Sequence, residues 1–253
     1  MFSSSIQPST VSLFSSTNSD SLALLSTHTD PQLPSDSFIH LLNDSKSEPA
    51  PPSPACLISS SAVSTSGEES GYTLGQTVLH IQSPTIRSTY VRCPPAGSSE
   101  HLGLKHPWMH IQVRDLGRQW SFEVGVVDRG GRQGAIRCST FQEIPRLTVS
   151  NPPLLHLPLS FPSPSPHRLT TWSTVALNLP SLLSHFTSLS LLESAYERSQ
   201  REGRTDSIAL PSGTYSHVSY VKVYATCRLR RIWFSETGSG QAVPWEFQLY
   251  AAE

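Results

Sequence analysis

His106 and His110 stand four residues apart, the interval at which one helix face would offer two imidazoles to a metal ion. Pro107 between them, and the alternating Trp108-Met-His-Ile-Gln-Val113 that follows, argue for a strand instead. Four residues of strand span about 13 Å at ~3.3 Å each, too far for one ion to bridge. Paired carboxylates for acid–base work are confined to Glu68-Glu69, inside Ser/Pro-rich sequence. Cys56, Cys93, Cys138 and Cys227 are widely spread, with no C-x-x-C pair. That spacing points to free thiols rather than to a zinc module or a disulfide scaffold. Gly130-Gly131 reads as a hairpin turn before a phosphate cradle. No G-x-S-x-G, Walker loop, G-x-G-x-x-G or H-E-x-x-H is present. The expectation is a protein that is not an enzyme, with no cofactor, no metal and no small-molecule substrate.

Arginines offer a different chemistry. Arg228, Arg230 and Arg231 are interleaved with Leu229, Ile232, Trp233 and Phe234. On a regular strand Arg228 and Arg230 share one face, while Leu229 and Arg231 share the other. Arg231 then interrupts the apolar face and needs an internal partner, for which Glu246 is the candidate. Two readings compete: a charged strip that meets an acidic protein surface or a phosphate backbone, or an internal salt bridge plus two solvated arginines. Arg114, Arg118, Arg129 and Arg132 fall on or beside expected strand ends and are further candidates for partner contact.

Charge is divided unevenly along the 253 residues. The total of 18 Lys+Arg and 19 Asp+Glu gives −1, but residues 1–74 carry one base, Lys46, against seven acids, a balance of −6. Residues 75–253 balance at +5. An acidic arm and a basic body are expected, the body favouring an acidic partner and the arm screening it when that partner is absent. Charged residues are 15% of the chain, below the roughly 25% of a typical soluble domain, with Ser, Thr and Pro in their place. No apolar run approaches the ~18–20 residues of a membrane span, and the start lacks the basic and apolar stretches of a signal peptide. An intracellular, soluble protein is expected.

The elements that would position these residues follow from periodicity. After Gly75 the apolar pattern alternates, giving expected strands at 76–81, 88–93, 108–113, 119–127, 134–138, 154–159, 172–179, 218–226, 228–234 and 245–250. Trp120, Phe122, Val124 and Val126 share the inward face of one of them, and Val175, Leu177 and Leu179 that of another. Asn178 caps a helix with Pro180 in its first turn and Leu182, Leu183, Phe186 and Leu189 on one face. Residues 26–72 are rich in Ser, Pro and acid. Ordering that stretch would cost on the order of 50–90 kcal/mol in backbone entropy, against ~1.5–3 kcal/mol for each of its few apolar side chains. It reads as a disordered insert in which Leu41-Leu42 is a weak docking motif. Loop inserts are expected near 160–168 and 193–214. The domain plan is therefore a first strand within 1–25, the insert at 26–72, and the body at 73–253. The fold class is mostly β: an antiparallel β-sandwich, jelly-roll-like, with one short α-helix and disordered inserts.

Several stretches in order carry a family resemblance. Cys227-Arg-Leu-Arg-Arg-Ile-Trp-Phe-Ser235, with Val221-Lys-Val-Tyr-Ala-Thr226 before it and Pro244-Trp-Glu-Phe-Gln-Leu-Tyr250 after it, resembles the C-terminal signature of the cilia- and flagella-associated protein 20 family. The likeness extends through Ser88-Thr-Tyr-Val-Arg-Cys-Pro94, Leu102-Gly-Leu104, Trp120-Ser-Phe-Glu-Val124 and Trp172-Ser-Thr-Val-Ala-Leu-Asn-Leu179 to the opening Met1-Phe2, Gln7, Ser12-Leu13 and Ser16. It departs in the three inserts and in having three lysines, where the family is lysine-rich. The resemblance implies a non-catalytic β-sandwich that binds tubulin and a neighbouring inner-junction protein, at the doublet inner junction of the axoneme, with roles at basal bodies and in ciliary motility. Some family members are also nuclear. The alternative is a nuclear adaptor or nucleic-acid-associated module, controlled by phosphorylation at Ser53-Pro54, Ser83-Pro84, Ser163-Pro164 and Ser165-Pro166. Carbohydrate binding by a sandwich with exposed aromatics is a third, weaker reading.

Overall fold

A computed structural model describes residues 6–49, 76–95, 97, 101–161, 171–201, 209–238 and 244–249. Two sheets enclose one core. The first has the order β11(Trp172–Asn178)–β6(Trp108–Asp115)–β13(Cys227–Ser235)–β4(Thr77–Gln82)–β3(Phe38–Asn43), with β1(Thr10–Ser15) also on β13. The second runs β2(Ser26–His28)–β5(Tyr90–Cys93)–β12(Tyr215–Tyr224)–β7(Ser121–Asp128)–β8(Gln133–Ser139)–β10(Leu154–Pro158)–β9(Arg146–Thr148). All pairings are antiparallel except β10 with β8. The mostly β sandwich expected from the sequence is what forms.

Alternation explains which faces meet. Trp120, Phe122, Val124 and Val126 are all fully buried in the core, joined there by Val91 from β5 and by Val221 and Val223 from β12. Val175 and Leu177 pack against the same core, and Leu179 is fully inside it. Cys93, Cys138 and Cys227 are buried free thiols, and burial pushes those of Cys93 and Cys138 up to about 12. Cys56 lies outside the described residues.

β13 departs from simple alternation. Leu229 pairs with Val113, but the next pair on β6 is Arg231 with Gln112, so Arg230 is the extra residue of a β-bulge. The bulge shifts the parity. Cys227 and Leu229 point into the core before it, Ile232 and Phe234 after it. The expectation that Arg231 shares Leu229's inward face is therefore corrected: one inserted residue returns all three arginines to the outer side. The bulge sits where β13 changes partner on its second edge, from β4 at Cys227–Leu229 to β1 at Arg231–Ser235.

Three further expectations change. Residues 26–49 are not disordered: β2 and β3 lie here, β3 paired over its whole length with β4. Sequence reasoning undervalued Phe38, Ile39, Leu41 and Leu42 because it weighed their burial without the β4 edge that supplies their hydrogen bonds. Residues 50–72 lie outside the described residues, as do nearly all of 160–168. The helix does begin at Asn178, whose side chain accepts from the Ser181 N–H. It runs as α1(Leu179–Leu183) and a 3-10 turn Ser184–Thr187, but α2(Leu189–Arg201) then continues into the expected loop at 193–214. Leu191, Leu192 and Ala195 of α2 reach the core, which a polar composition had masked. Finally, the strand expected at 245–250 does not form over the described residues 245–249: Trp245–Phe247 form a 3-10 turn. Both edges of β13 are already occupied, so Phe247 lies instead on the outer face of the six-stranded sheet, against Trp233 at 5.1 Å.

Candidate partner-binding surfaces

The outer face of the six-stranded sheet is built around Asp44, which follows β3 and is 1% exposed. Its carboxylate accepts from Arg228 at 2.6 Å, Arg114 at 3.0 Å and the Trp172 indole N–H at 2.9 Å. Arg228 also donates to the Asp44 carbonyl and to the Ser47 hydroxyl. Arg230 donates to the side-chain oxygens of Gln76 and Gln112 and to the Glu246 carbonyl. With burial first and the Arg231 charge second, its guanidinium is brought down to about 10. Arg231 lies over the Phe247 ring at 4.2 Å; burial lowers its pKa and the Glu246 charge opposes that shift. Arg228, Arg230 and Arg231 are 9%, 6% and 9% exposed, so these cations are spent inside the protein's own network.

The other sequence candidates separate. Arg114 is held by Asp44. Arg132 clamps Asp128 at 2.7 Å, and the same carboxylate accepts from the backbone N–H groups of Arg132, Ser212 and Gly213. Burial pushes Asp128 up, but these donors outweigh it and hold the carboxyl at about 2. Arg129 is exposed at the β7–β8 turn, where Gly131 takes the positive φ of 78°. Arg118 is exposed at the rim of an open groove of about 640 Å³, beside Asp36 and Gln119. The structure thus brings Arg228, Arg230 and Arg114 together, and leaves Arg118, Arg129 and Arg132 apart from them and, in the first two cases, open to solvent.

A second surface escaped sequence reasoning. Cross-strand register on the seven-stranded sheet aligns Ser26, Arg92, Lys222, Glu123, Arg137, His156 and Arg146 in one row, a residue from each strand. The row lies on the outer face, because Val91, Val221, Val223, Val124, Ile136 and Leu155 beside it point inward. Aromatic rings hold its cations: the Lys222 ammonium is 3.5 Å from the Tyr90 centroid and 4.5 Å from that of Tyr224. Arg92 lies 4.9 Å over Tyr220, and Arg137 lies 5.4 Å over Tyr224. Glu123 accepts from Arg137 at 2.5 Å and from the Tyr220 hydroxyl at 2.5 Å. Burial foremost, offset by Glu123 and reinforced by Arg92 and Arg137, brings Lys222 down to about 8. The available signal was the alternation in Tyr90-Val-Arg-Cys93 and Val221-Lys-Val223, which puts each base opposite an inward valine; the register that lines them up is not local information.

His106 bonds to the Pro8 carbonyl and His110 to Ser235. Among the described residues no group of three or more His, Cys, Asp or Glu could hold a metal ion, and no helix is long and apolar enough to cross a membrane.

Comparison with known proteins gives this geometry a family. The model of the CFA20 domain matches residues 34–202, from just before β3 to the end of α2. The cilia- and flagella-associated protein 20 of Chlamydomonas reinhardtii is 30% identical over 175 residues, 68% of this chain and 73% of that protein. The Paramecium tetraurelia protein of the same name is 28% identical over 176 residues, 68% of this chain and 73% of that one. The Caenorhabditis elegans protein is 23% identical over 175 residues, covering 68% of each. Among solved structures, the xyloglucanase domain of NopAA from Sinorhizobium fredii in complex with cellobiose covers 64% of this chain and 83% of its own, at 12% identity and a TM-score of 0.24, too low to carry an argument. With two thirds of its length matched, and β3 now inside the matched span, the chain belongs to the CFA20 domain family.

Proposed function

We propose that this chain is a non-enzymatic structural protein of cilia and flagella that binds microtubules. Its place is the doublet inner junction of the axoneme, the basal body, or both, and it supports ciliary assembly and motility. The observation that carries this reading is the family match through 34–202, with relatives named for cilia and flagella. The physical form supports it. A two-sheet body with a continuous core resists deformation, and outward cations on a body with an excess of bases suit the strongly acidic surface of tubulin. Among the sequence candidates, Arg118 and Arg129 are placed to touch a partner directly. Arg114, Arg132, Arg228 and Arg230 act by shaping the surface.

Two measurements test this together. Purified full-length chain is expected to co-sediment with microtubules, with an affinity that drops steeply between low and physiological salt. A tagged copy in a ciliated cell is expected along the axoneme or at its base. Absence from the microtubule pellet at low salt, together with a nuclear or diffuse signal, would replace the reading with the nuclear adaptor.

A further inference from the structure

We propose that the outer face of the seven-stranded sheet, along the row from Arg92 through Lys222 and Arg137 to Arg146, is the surface that receives an acidic protein partner through its carboxylates. The proposal rests on the reading that this chain is a binding protein, and it names the face and the partner chemistry. Three observations carry it.

The first is charge. The row holds four bases and one acid, Glu123. That acid is already engaged by Arg137 and by the Tyr220 hydroxyl. Among the described residues, Arg92 and Lys222 have no carboxylate at ion-pair distance, and the Arg92 Nε is buried without a hydrogen-bond partner. Arg146 is exposed. On the six-stranded sheet, by contrast, Asp44 takes up Arg114 and Arg228, and amide or carbonyl oxygens take up Arg230; Arg231 rests on the Phe247 ring, and the Nε atoms of Arg228 and Arg231 are, like that of Arg92, buried without a hydrogen-bond partner.

The second is preorganisation. Lys222 and Arg92 are seated on tyrosine rings, so their rotamers are limited before any partner arrives. A cation held this way loses less side-chain entropy on binding than a free surface lysine. Gly125, opposite Tyr220, makes the seat: a Cβ there would lie 2.4 Å from the Tyr220 ring.

The third is shape. One residue per strand at ~4.8 Å spacing gives about 24 Å from Arg92 to Arg146, a length suited to several carboxylates on a protein surface rather than to a single small anion. A nucleic acid fits less well. Its bases need bare aromatic rings to stack on, whereas Tyr90, Tyr220 and Tyr224 are covered by Lys222, Arg92 and Arg137. Glu123 in mid-row would also oppose a continuous phosphate backbone.

The test uses full-length protein with two acidic probes, microtubules and poly-L-glutamate, and an RNA oligonucleotide as a third ligand. Arg92→Gln/Lys222→Gln is expected to weaken binding to both acidic probes about tenfold or more. Lys46→Gln/Lys105→Gln, two exposed cations outside the row, is expected to cost them no more than about threefold. The single change Arg146→Gln, at an exposed position, gives a loss of a few-fold that no folding defect can mimic, and Lys222→Arg restores binding. Unchanged affinity of the Arg92/Lys222 variant for both acidic probes, at an unchanged urea midpoint, would overturn the proposal. So would RNA binding that exceeds and outlasts binding to poly-L-glutamate in salt. If wild-type protein fails to bind microtubules yet loses poly-L-glutamate with these substitutions, the face stands and the microtubule reading falls. If microtubule binding survives them, the reverse holds.

Discussion

A carboxylate with almost no exposed surface stays ionised only when its neighbours replace the water it has lost. Asp44 has two guanidinium groups and an indole N–H in that role. The dependence is mutual, because Arg114 and Arg228 lean on the same oxygen, Asp44 Oδ1, and Arg228 is nearly as buried. Removing the charge strands two cations beside a neutral amide, which is the expensive way to break a buried pair. Asp44→Asn is therefore expected to lower unfolding stability by about 3–5 kcal/mol, read as a fall in the urea midpoint at unchanged slope. Reversing Arg228 to Glu should be at least as damaging, since it sets two carboxylates against each other with one arginine between them. A loss of partner binding in an Arg228→Glu/Arg230→Glu protein would consequently report unfolding of this face. Asp44 was invisible in the sequence because it lies inside a stretch rich in Ser, Pro and acid, and nothing local says that three outward side chains on β6, β11 and β13 converge on it.

At the scale of elements, what was legible and what was not divides along one line. Strands β6, β7, β8, β10 and β11 announce themselves because each has an inward apolar set at a spacing of two, and β12 and β13 keep that spacing except across a bulge. β3 does not: its burial is intermediate along most of its length, it makes its living from β4's backbone, and its neighbours in sequence are poor strand formers. α2 was hidden by its polar composition, Ser190, Glu193 and Ser194 being exposed while Leu191, Leu192 and Ala195 meet the core. The bulge at Arg230 follows from β13 changing partners on one edge, a tertiary fact with no signature in Arg228-Leu-Arg-Arg231. Gly125 shows how tightly elements constrain a residue. A methyl group at that position of β7 would meet the Ser219 hydroxyl at 2.3 Å and the Tyr220 ring at 2.4 Å, both on β12. Tyr220 would have to swing out, releasing its bond to Glu123 and the seat of Arg92. Gly125→Ala is expected to cost about 1–3 kcal/mol of stability, measured by thermal or urea unfolding, and Tyr220→Ala in the same background should recover part of it by removing the obstacle.

Across the whole molecule, the two outer faces use cations in opposite ways: one closes them into the structure, the other keeps a partly neutralised row at the surface. That difference has a pH signature. Lys222 ionises at about 8 in the fold, because burial disfavours its charge and Arg92 and Arg137 add to the effect more than Glu123 can offset. The groups that surround it are Tyr90 and Arg92 on β5, Tyr220 and Tyr224 on its own strand, Glu123 on β7 and Arg137 on β8. Burial raises the phenols of Tyr220 and Tyr224, the second to about 12, so they stay neutral as Lys222 titrates. Burial also lowers His156, which leaves that imidazole uncharged well below pH 8. Raising pH from 7 to 9 therefore removes the Lys222 charge from the row, and affinity for an acidic partner is expected to fall a few-fold, roughly the worth of one half-exposed ion pair. Stability moves the other way. The folded pKa of Lys222 lies below its unfolded value of roughly 10.4, so between the two the unfolded chain holds more protons and this group's contribution to stability rises with pH. Binding that weakens from pH 7 to 9 while the urea midpoint holds or climbs would identify deprotonation of the row, not loss of the fold. Lys222→Arg, which does not lose its charge in that range, is expected to flatten the profile, and a profile that keeps its slope in this variant would move the titration to another group.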